Sequence, residues 1–260
     1  MNGKTLSVDR DDGLAVVTFR SPPRNLYDAA MREELPAALA GLAAVPPRAV
    51  HFRATGRMVS AGVDVQLFSD TTDARQGAAL CAEFLALTAA VEALPCPTVF
   101  AAHGICLTWA FELALACDLI VASERASFGL TERTVGLTPC MGGTQRLAER
   151  AGPGRARLLV LTGDIVVAET LERWGVVDRL LPAAGFDERA LRLTRGLAAG
   201  PTRAYAAAKQ VLRDWRTGGV ARADGQLPGT VAPLFESSDL RHGVESFLHQ
   251  GPRAAVFAGE

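Results

Sequence analysis

From Ala93 to Phe111 the chain carries no Asp, Glu, Lys or Arg. An uncharged stretch of that length belongs in a protein core or in a membrane, because it is about as long as a membrane span. Its interruptions decide between the two. Pro95, Pro97 and Gly104 break it, His103 places a polar ring within it, and Glu112 and Asp118 follow at once. Lipid-facing backbone accepts such breaks only where other protein groups re-satisfy it. The pattern therefore predicts a buried strand over Thr98–Ala102, a turn at Gly104 and a buried helix over Thr108–Ala116, with no membrane span. A buried strand feeding a buried helix is the unit of a mixed α/β core.

The rest of the chain supports that class. Leu14–Phe19 reads as a strand, with Thr5–Val8 pairing to it across the Arg10–Gly13 turn. A helix is expected after an Asp28 N-cap, with Met31, Leu35, Leu39 and Leu42 on one face and Pro36 kinking or dividing it. Ala49–Ala54 reads as a strand, residues 55–73 as a long loop, and Ala74–Leu94 as an amphipathic helix. Leu119–Ala122 is a further strand. Helices follow at Thr144–Ala151, Arg155–Leu161 and Ala168–Trp174, each ended by a glycine. Val176–Leu181 reads as a strand, Asp187–Ala199 and Thr202–Trp215 as helices, residues 216–233 as a Gly/Pro loop, and Ser237–Gln250 as a last helix. The division expected is a mixed core over residues 1–195 and a helical region over 196–260.

Composition excludes some functions. With 49% hydrophobic residues, 21% charged residues and a net charge of -1, the chain is neither disordered nor driven to nucleic acid by overall charge. No basic strip with interleaved aromatics suggests a nucleic-acid partner. The five cysteines form no C-x-x-C pair and share no ligand spacing with a histidine, so no metal site is expected. They read as small buried hydrophobes in a reduced compartment, the cytoplasm. Met1–Arg10 has no apolar core of a secretory signal.

Three segments hold residues suited to chemistry. In Ser60-Ala61-Gly62-Val63-Asp64, small residues after a strand can aim a backbone N–H at a ligand oxygen; an ordinary loop glycine is the plainer reading. In His103–Glu112 a strand turns into a helix whose first N–H groups can hold an anion. Glu112 then lies about one turn inside, among apolar residues that raise its pKa, unless an arginine pairs with it. In Phe128–Thr144 a second acid, Glu132, precedes a glycine-rich turn; pairing with Arg133 on the surface is the alternative. His103 reads as a turn histidine bonded to backbone, Trp109 as packing, and Arg146, Arg150, Arg155 and Arg157 as a solvated face.

Together these motifs resemble the crotonase superfamily, the enoyl-CoA hydratase and isomerase group. The resemblance rests on Ser60–Asp64, His103–Leu113, Cys117-Asp118-Leu119, Phe128–Arg146, Leu161-Thr162-Gly163, Gly175-Val176-Val177 and the tail Phe247…Pro252…Phe257. It implies a spiral of β-β-α units with a helical C-terminal trimerisation region, and a homotrimer or dimer of trimers. It implies an acyl-CoA thioester substrate, with coenzyme A entering as part of that substrate and no separate cofactor. By position the oxyanion hole would be the backbone N–H groups of Val63 and Trp109. Coenzyme A would lie along Arg24, Leu26, Ala61, Asp64, Val65 and Gln66. Glu112 and Glu132, at the interval those hydratases show, would add water to a 2-enoyl thioester. Isomerase, decarboxylase and inactive acyl-CoA binder are the alternatives.

The chain departs from the family clearly in one place, and to a smaller degree at His103, where the family often has Asn or Asp. Thr108-Trp109-Ala110 stands where the family has a run of glycines. A backbone N–H survives any non-proline substitution, but the indole must point away from the thioester or narrow the acyl pocket.

Overall fold

The computed structural model describes residues 3–252 and 254–260. Met1 and Asn2, at the head of the segment read as free of a secretory signal, and Arg253 lie outside them.

Strands β1 (Leu6–Asp11) and β2 (Leu14–Phe19) form an antiparallel hairpin. Asp12 and Gly13 both have positive φ, the two-residue turn that matches strand twist. The first strand thus runs to Asp11, beyond the expected Val8. Helix α1 (Ala29–Ala44) follows, its N-terminus capped by Asp28 accepting the Met31 N–H. It buries Met31, Leu35, Leu39 and Leu42 and continues through Pro36 without dividing. Pro36 lies on the exposed face, where water can serve the carbonyl that proline leaves unbonded.

Strand β3 (Ala49–Ala54) pairs parallel with β2. The loop beyond it contains one short helical turn, α2 (Gln66–Ser69). Helix α3 (Ala74–Ala93) buries Leu80, Phe84, Leu87 and Val91 at the spacing read from the sequence. Next come β4 (Thr98–Ala102), β5 (Ile105–Leu107), α4 (Trp109–Ala116), β6 (Leu119–Ser123) and β7 (Ser127–Gly129). Helices α5 (Gly143–Ala151) and α6 (Pro153–Thr162), strand β8 (Val166–Val167), helix α7 (Ala168–Arg173) and strand β9 (Arg179–Leu181) complete this part. Only Arg179–Leu181 of the expected strand 176–181 pairs; Val176 and Val177 instead turn back with their N–H groups on the Leu171 carbonyl.

Two sheets result. The larger has the order β1-β2-β3-β4-β6-β9 and is parallel after the hairpin. The smaller has the order β5-β7-β8. Each long turn of the chain crosses one strand of each sheet and returns by a helix: β4-β5-α4, then β6-β7 and α5. Ser60 bridges to Cys106, so the loop after β3 joins the same row. This is a crotonase-type spiral of β-β-α units.

The central strands β2, β3, β4 and β6 are buried on both faces, which is why β4 reads as unbroken apolar sequence. Phe19, Phe52 and Phe100 pack ring to ring on the spiral side, at 6.3–6.4 Å between centroids. Val99, Ala101 and Val121 face the other way, onto Phe186 and Ala190 of helix α8 (Phe186–Ala198).

Helix α9 corrects the expected loop over 216–233. It runs Thr202–Val231, with non-helical φ/ψ only at Gly218 and Gly219. The glycine pair breaks the helix as its composition suggests, but helix resumes beyond it. A 3₁₀ turn (Ala232–Glu236) leads to α10 (Ser238–Gln250), capped by Ser237.

Candidate active site

All of α4 is buried, and it carries Glu112 into the interior, where the residue is 3% exposed. Among the described residues no arginine pairs with it. Its Oε2 accepts the Met141 N–H at 2.8 Å and the Gly143 N–H at 2.7 Å. A side chain at Gly143 would place Cβ 2.7 Å from Glu112 Cγ, so only glycine lets the loop close this far. The outer side of the same loop is held by Arg146, which bonds the Met141 and Gly142 carbonyls at 3.3 Å and pairs with Glu92 at 2.8 Å. Arg146 is therefore buried, and Arg150 bonds Asp178 and the Cys117 carbonyl; neither belongs to the solvated face expected of them.

Glu132 opens the 3₁₀ turn Glu132–Val135 after β7 and is 8% exposed. It is not paired with Arg133, which bonds the Thr162 carbonyl instead. Among the described residues neither Glu132 carboxyl oxygen has a hydrogen-bond partner. Burial pushes the Glu132 carboxyl up to about 7. Burial and then the nearness of Glu132 push Glu112 up to about 8, against the pull of the Gly143 and Met141 N–H groups. Two buried carboxyls that titrate through the neutral range can hold a proton on one and accept a proton on the other.

The N–H groups of Val63 and Trp109 come from separate segments. Gly62 has φ +118, a conformation that suits glycine, and its N–H bonds Ser60 Oγ at 3.0 Å. Val63 follows, and its N–H donates to no group among the described residues. Trp109 is the first residue of α4, so its N–H has no acceptor within the helix. Thr108, just before it, has φ +49, a strained value for a β-branched residue. The indole settles the question raised by the missing glycines. It is fully buried, edge-on to Phe19 at 5.0 Å, and its Nε1–H donates to Ser60 Oγ at 2.7 Å. The side chain points into the core.

The two loops assigned to coenzyme A are joined by backbone bonds. The Ala61 N–H donates to the Arg24 carbonyl at 2.9 Å, Tyr27 to Gly62 at 3.0 Å and Asp64 to Tyr27 at 3.0 Å. Arg24, Val65 and Gln66 are exposed, while Leu26, Ala61 and Asp64 are half-buried. The Asp64 carboxylate caps the Gln66 N–H, and the Gln66 amide bonds Asp70, so both side chains are engaged locally. His103 bonds the Gly56 carbonyl, as a turn histidine does. Among the described residues no group of three or more His, Cys, Asp or Glu could hold a metal ion.

Two backbone donors and two buried acids on one spiral suit the chemistry of a conjugated thioester. A family model described as enoyl-CoA hydratase/isomerase matches residues 9–254. The chain belongs to that family. It is 31% identical to a Rhodobacter capsulatus protein named "Probable enoyl-CoA hydratase", across 97% of this chain and 98% of that one. It is 35% identical to the 2,3-dehydroadipyl-CoA hydratase of Escherichia coli, over 63% of this chain and 64% of the relative. The solved enoyl-CoA hydratase of Bacillus anthracis superposes with a TM-score of 0.90 at 27% identity, covering 99% of this chain and 100% of that one. The protein is thus an enzyme of the hydratase/isomerase family.

Several parts of the site were not given their roles in the sequence. The Met141 and Gly143 amides, the Ser60 hydroxyl and Arg146 belong to it through the backbone path alone. Asn25 is another: fully buried, it bonds Ser21, Thr55 and Met58 backbone groups and sets the loop carrying Arg24. Its one signal is an asparagine with φ +46 after Pro22-Pro23-Arg24, a place where asparagine is tolerated.

Proposed function

We propose that Glu112 and Glu132 hold one water between them and add it to a 2-enoyl-CoA thioester. The water oxygen bonds the β carbon, and one water proton passes to the carboxylate. The α carbon takes its proton from the carboxyl. Negative charge that builds on the thioester oxygen is met by the N–H groups of Val63 and Trp109. Losing one such donor typically costs on the order of 10²–10³ in rate. Coenzyme A lies along Arg24, Leu26, Ala61, Asp64, Val65 and Gln66, and the reaction needs no separate cofactor.

The observation that carries this reading is Glu132: a buried carboxyl with no partner, close enough to Glu112 to raise its pKa. A structural acid would be paired. The test is loss of enoyl-thioester absorbance with crotonyl-CoA. Glu112→Gln and Glu132→Gln are each expected to slow it by about 10²–10⁴. Near-normal hydration in either variant refutes the assignment. If instead the wild type converts a 3-enoyl-CoA and leaves crotonyl-CoA untouched, the reaction is isomerisation.

The assembly proposed is a homotrimer or dimer of trimers formed through α9 and α10. Phe235, Phe247 and Leu248 are 71%, 60% and 74% exposed there, and a second copy of the chain would cover them. The proposed compartment is the cytoplasm, on the strength of five unpaired cysteines.

A further inference from the structure

An oxyanion hole stabilises charge only as far as its donors are fixed before the charge appears. Here the two donors sit on different segments, the loop after β3 and the first residue of α4. Something must hold one against the other.

The Ser60 hydroxyl does so. It donates to the Asn25 carbonyl at 2.8 Å and accepts from the Gly62 N–H at 3.0 Å and from the Trp109 indole N–H at 2.7 Å. A hydroxyl has one proton and two lone pairs, and all three are used. Ser60 and Trp109 are both fully buried, so no water replaces a lost bond. Gly62 is the residue before one donor, and Trp109 is itself the other. The indole also leans on Tyr27 at 5.6 Å, whose N–H and carbonyl bracket Val63 by bonding Gly62 and Asp64. Gly62 packs directly on Thr108 as well: a Cβ there would stand 3.0 Å from Thr108 Oγ1. The strained Thr108 and the N–H that follows it are thus anchored through the indole.

We propose that the Trp109 side chain is a positioning residue of the oxyanion hole, clasping its two halves through Ser60. One residue then supplies one donor from its backbone and fixes the other with its side chain. The kinetic consequence rests on the hydration reading; the effect on a bound thioester does not.

The experiment uses the full-length protein and two probes. Trp109→Phe keeps an aromatic ring but removes the indole N–H and part of the buried volume, while Ser60→Ala removes the acceptor and keeps the whole indole. With crotonyl-CoA we expect kcat to fall at least about tenfold with KM within about twofold, since misplaced donors cost transition-state stabilisation and leave binding intact. The second probe is a dimethylaminophenyl-acryloyl-CoA, whose absorption moves to the red when its carbonyl is polarised. That red shift should shrink in Trp109→Phe and in Ser60→Ala. A purely structural tryptophan would lower Tm and leave the red shift of the folded protein unchanged. Wild-type kcat and a full red shift in folded Trp109→Phe overturn the proposal.

If neither variant folds, 5-fluorotryptophan in a Trp174→Phe, Trp215→Phe background reports on Trp109 alone. Its ¹⁹F resonance must move when the chromophoric thioester binds, and a fixed resonance overturns the proposal. If the wild type leaves crotonyl-CoA unchanged, the hydratase reading fails, while the red shift still decides the clasp. Absence of any red shift in the wild type refutes the clasp too.

Discussion

Around Glu112 the protein buries polar groups and leaves them without partners; along α9 and α10 it exposes apolar groups and leaves them without cover. Among the described residues Thr108 Oγ1, both Glu132 carboxyl oxygens and Thr144 Oγ1 are buried with no hydrogen bond. Val220, Val244 and Leu248 stand in solvent. Either departure costs stability in the isolated chain. They differ in what would relieve them. A buried unpaired carboxyl calls for a small polar molecule, and an apolar helix face calls for a macromolecular surface. The first region thus supports the proposed substrate site, and the second the proposed contact with another copy of the chain.

The contrast breaks most sharply at Gly143. In Gly143→Ala the new methyl meets Glu112 Cγ and drives the carboxyl from its two N–H donors. Hydration of crotonyl-CoA should fall about 10²-fold, with the far-UV circular dichroism unchanged. A rate within threefold of wild type would mean that Glu112 needs no cradle.

Next in size is the pH profile. Below about 7 both carboxyls carry protons and the base is lost. Above about 8 both are ionised and the acid is lost. The rate kcat/KM should form a bell between those values, falling about tenfold per pH unit on each side. A profile flat from pH 6 to 9 would sink the shared-proton account.

The tail is tested by mass. Phe247→Glu with Leu248→Glu places charge on the proposed contact face and should reduce the mass seen by light scattering about threefold or more. Unchanged mass would move the contact elsewhere.

The smallest effect is on stability. Glu132 has a folded pKa of about 7, above its ordinary 4.5. Burial of its neutral form is undisturbed below 4.5, and stability is lost as pH rises through 7. Glu132→Gln, which cannot ionise, should therefore melt a few degrees higher than wild type near pH 8.5 and the same near pH 4. Equal melting at both would mean that the carboxylate is solvated in the folded protein.

Much of this was legible in residue order. The periodicity of Leu80, Phe84, Leu87 and Val91 is the buried face of α3, and Asp28 is the cap of α1. Glu112 stands out as a charge in apolar surroundings, whereas Glu132, beside Arg133, is marked only by the glycine-rich turn that follows it. Strand β5 escaped notice because Ile105-Cys106-Leu107 continues the apolar run of β4, and only topology assigns it to another sheet. The helix beyond Gly219 escaped because Gly225, Pro228 and Gly229 signal a turn, yet the chain stays helical to Val231. The cradle of Glu112 and the direction of the indole depend on where distant backbone passes, which no local spacing encodes. Arg146 looked solvated for the same reason: its partner Glu92 lies on α3.

Thr108-Trp109-Ala110 carries a lesson for inheritance. The atoms proposed to stabilise charge at Val63 and Trp109 are peptide nitrogens, which every residue but proline possesses. Selection acting on them constrains the path of the main chain and leaves the letter at each position free to drift. A lineage can exchange the smallest side chain for the largest there and keep the same two protons aimed at the same oxygen, provided that the new group finds room elsewhere. In this chain the room was found between Phe19 and Tyr27.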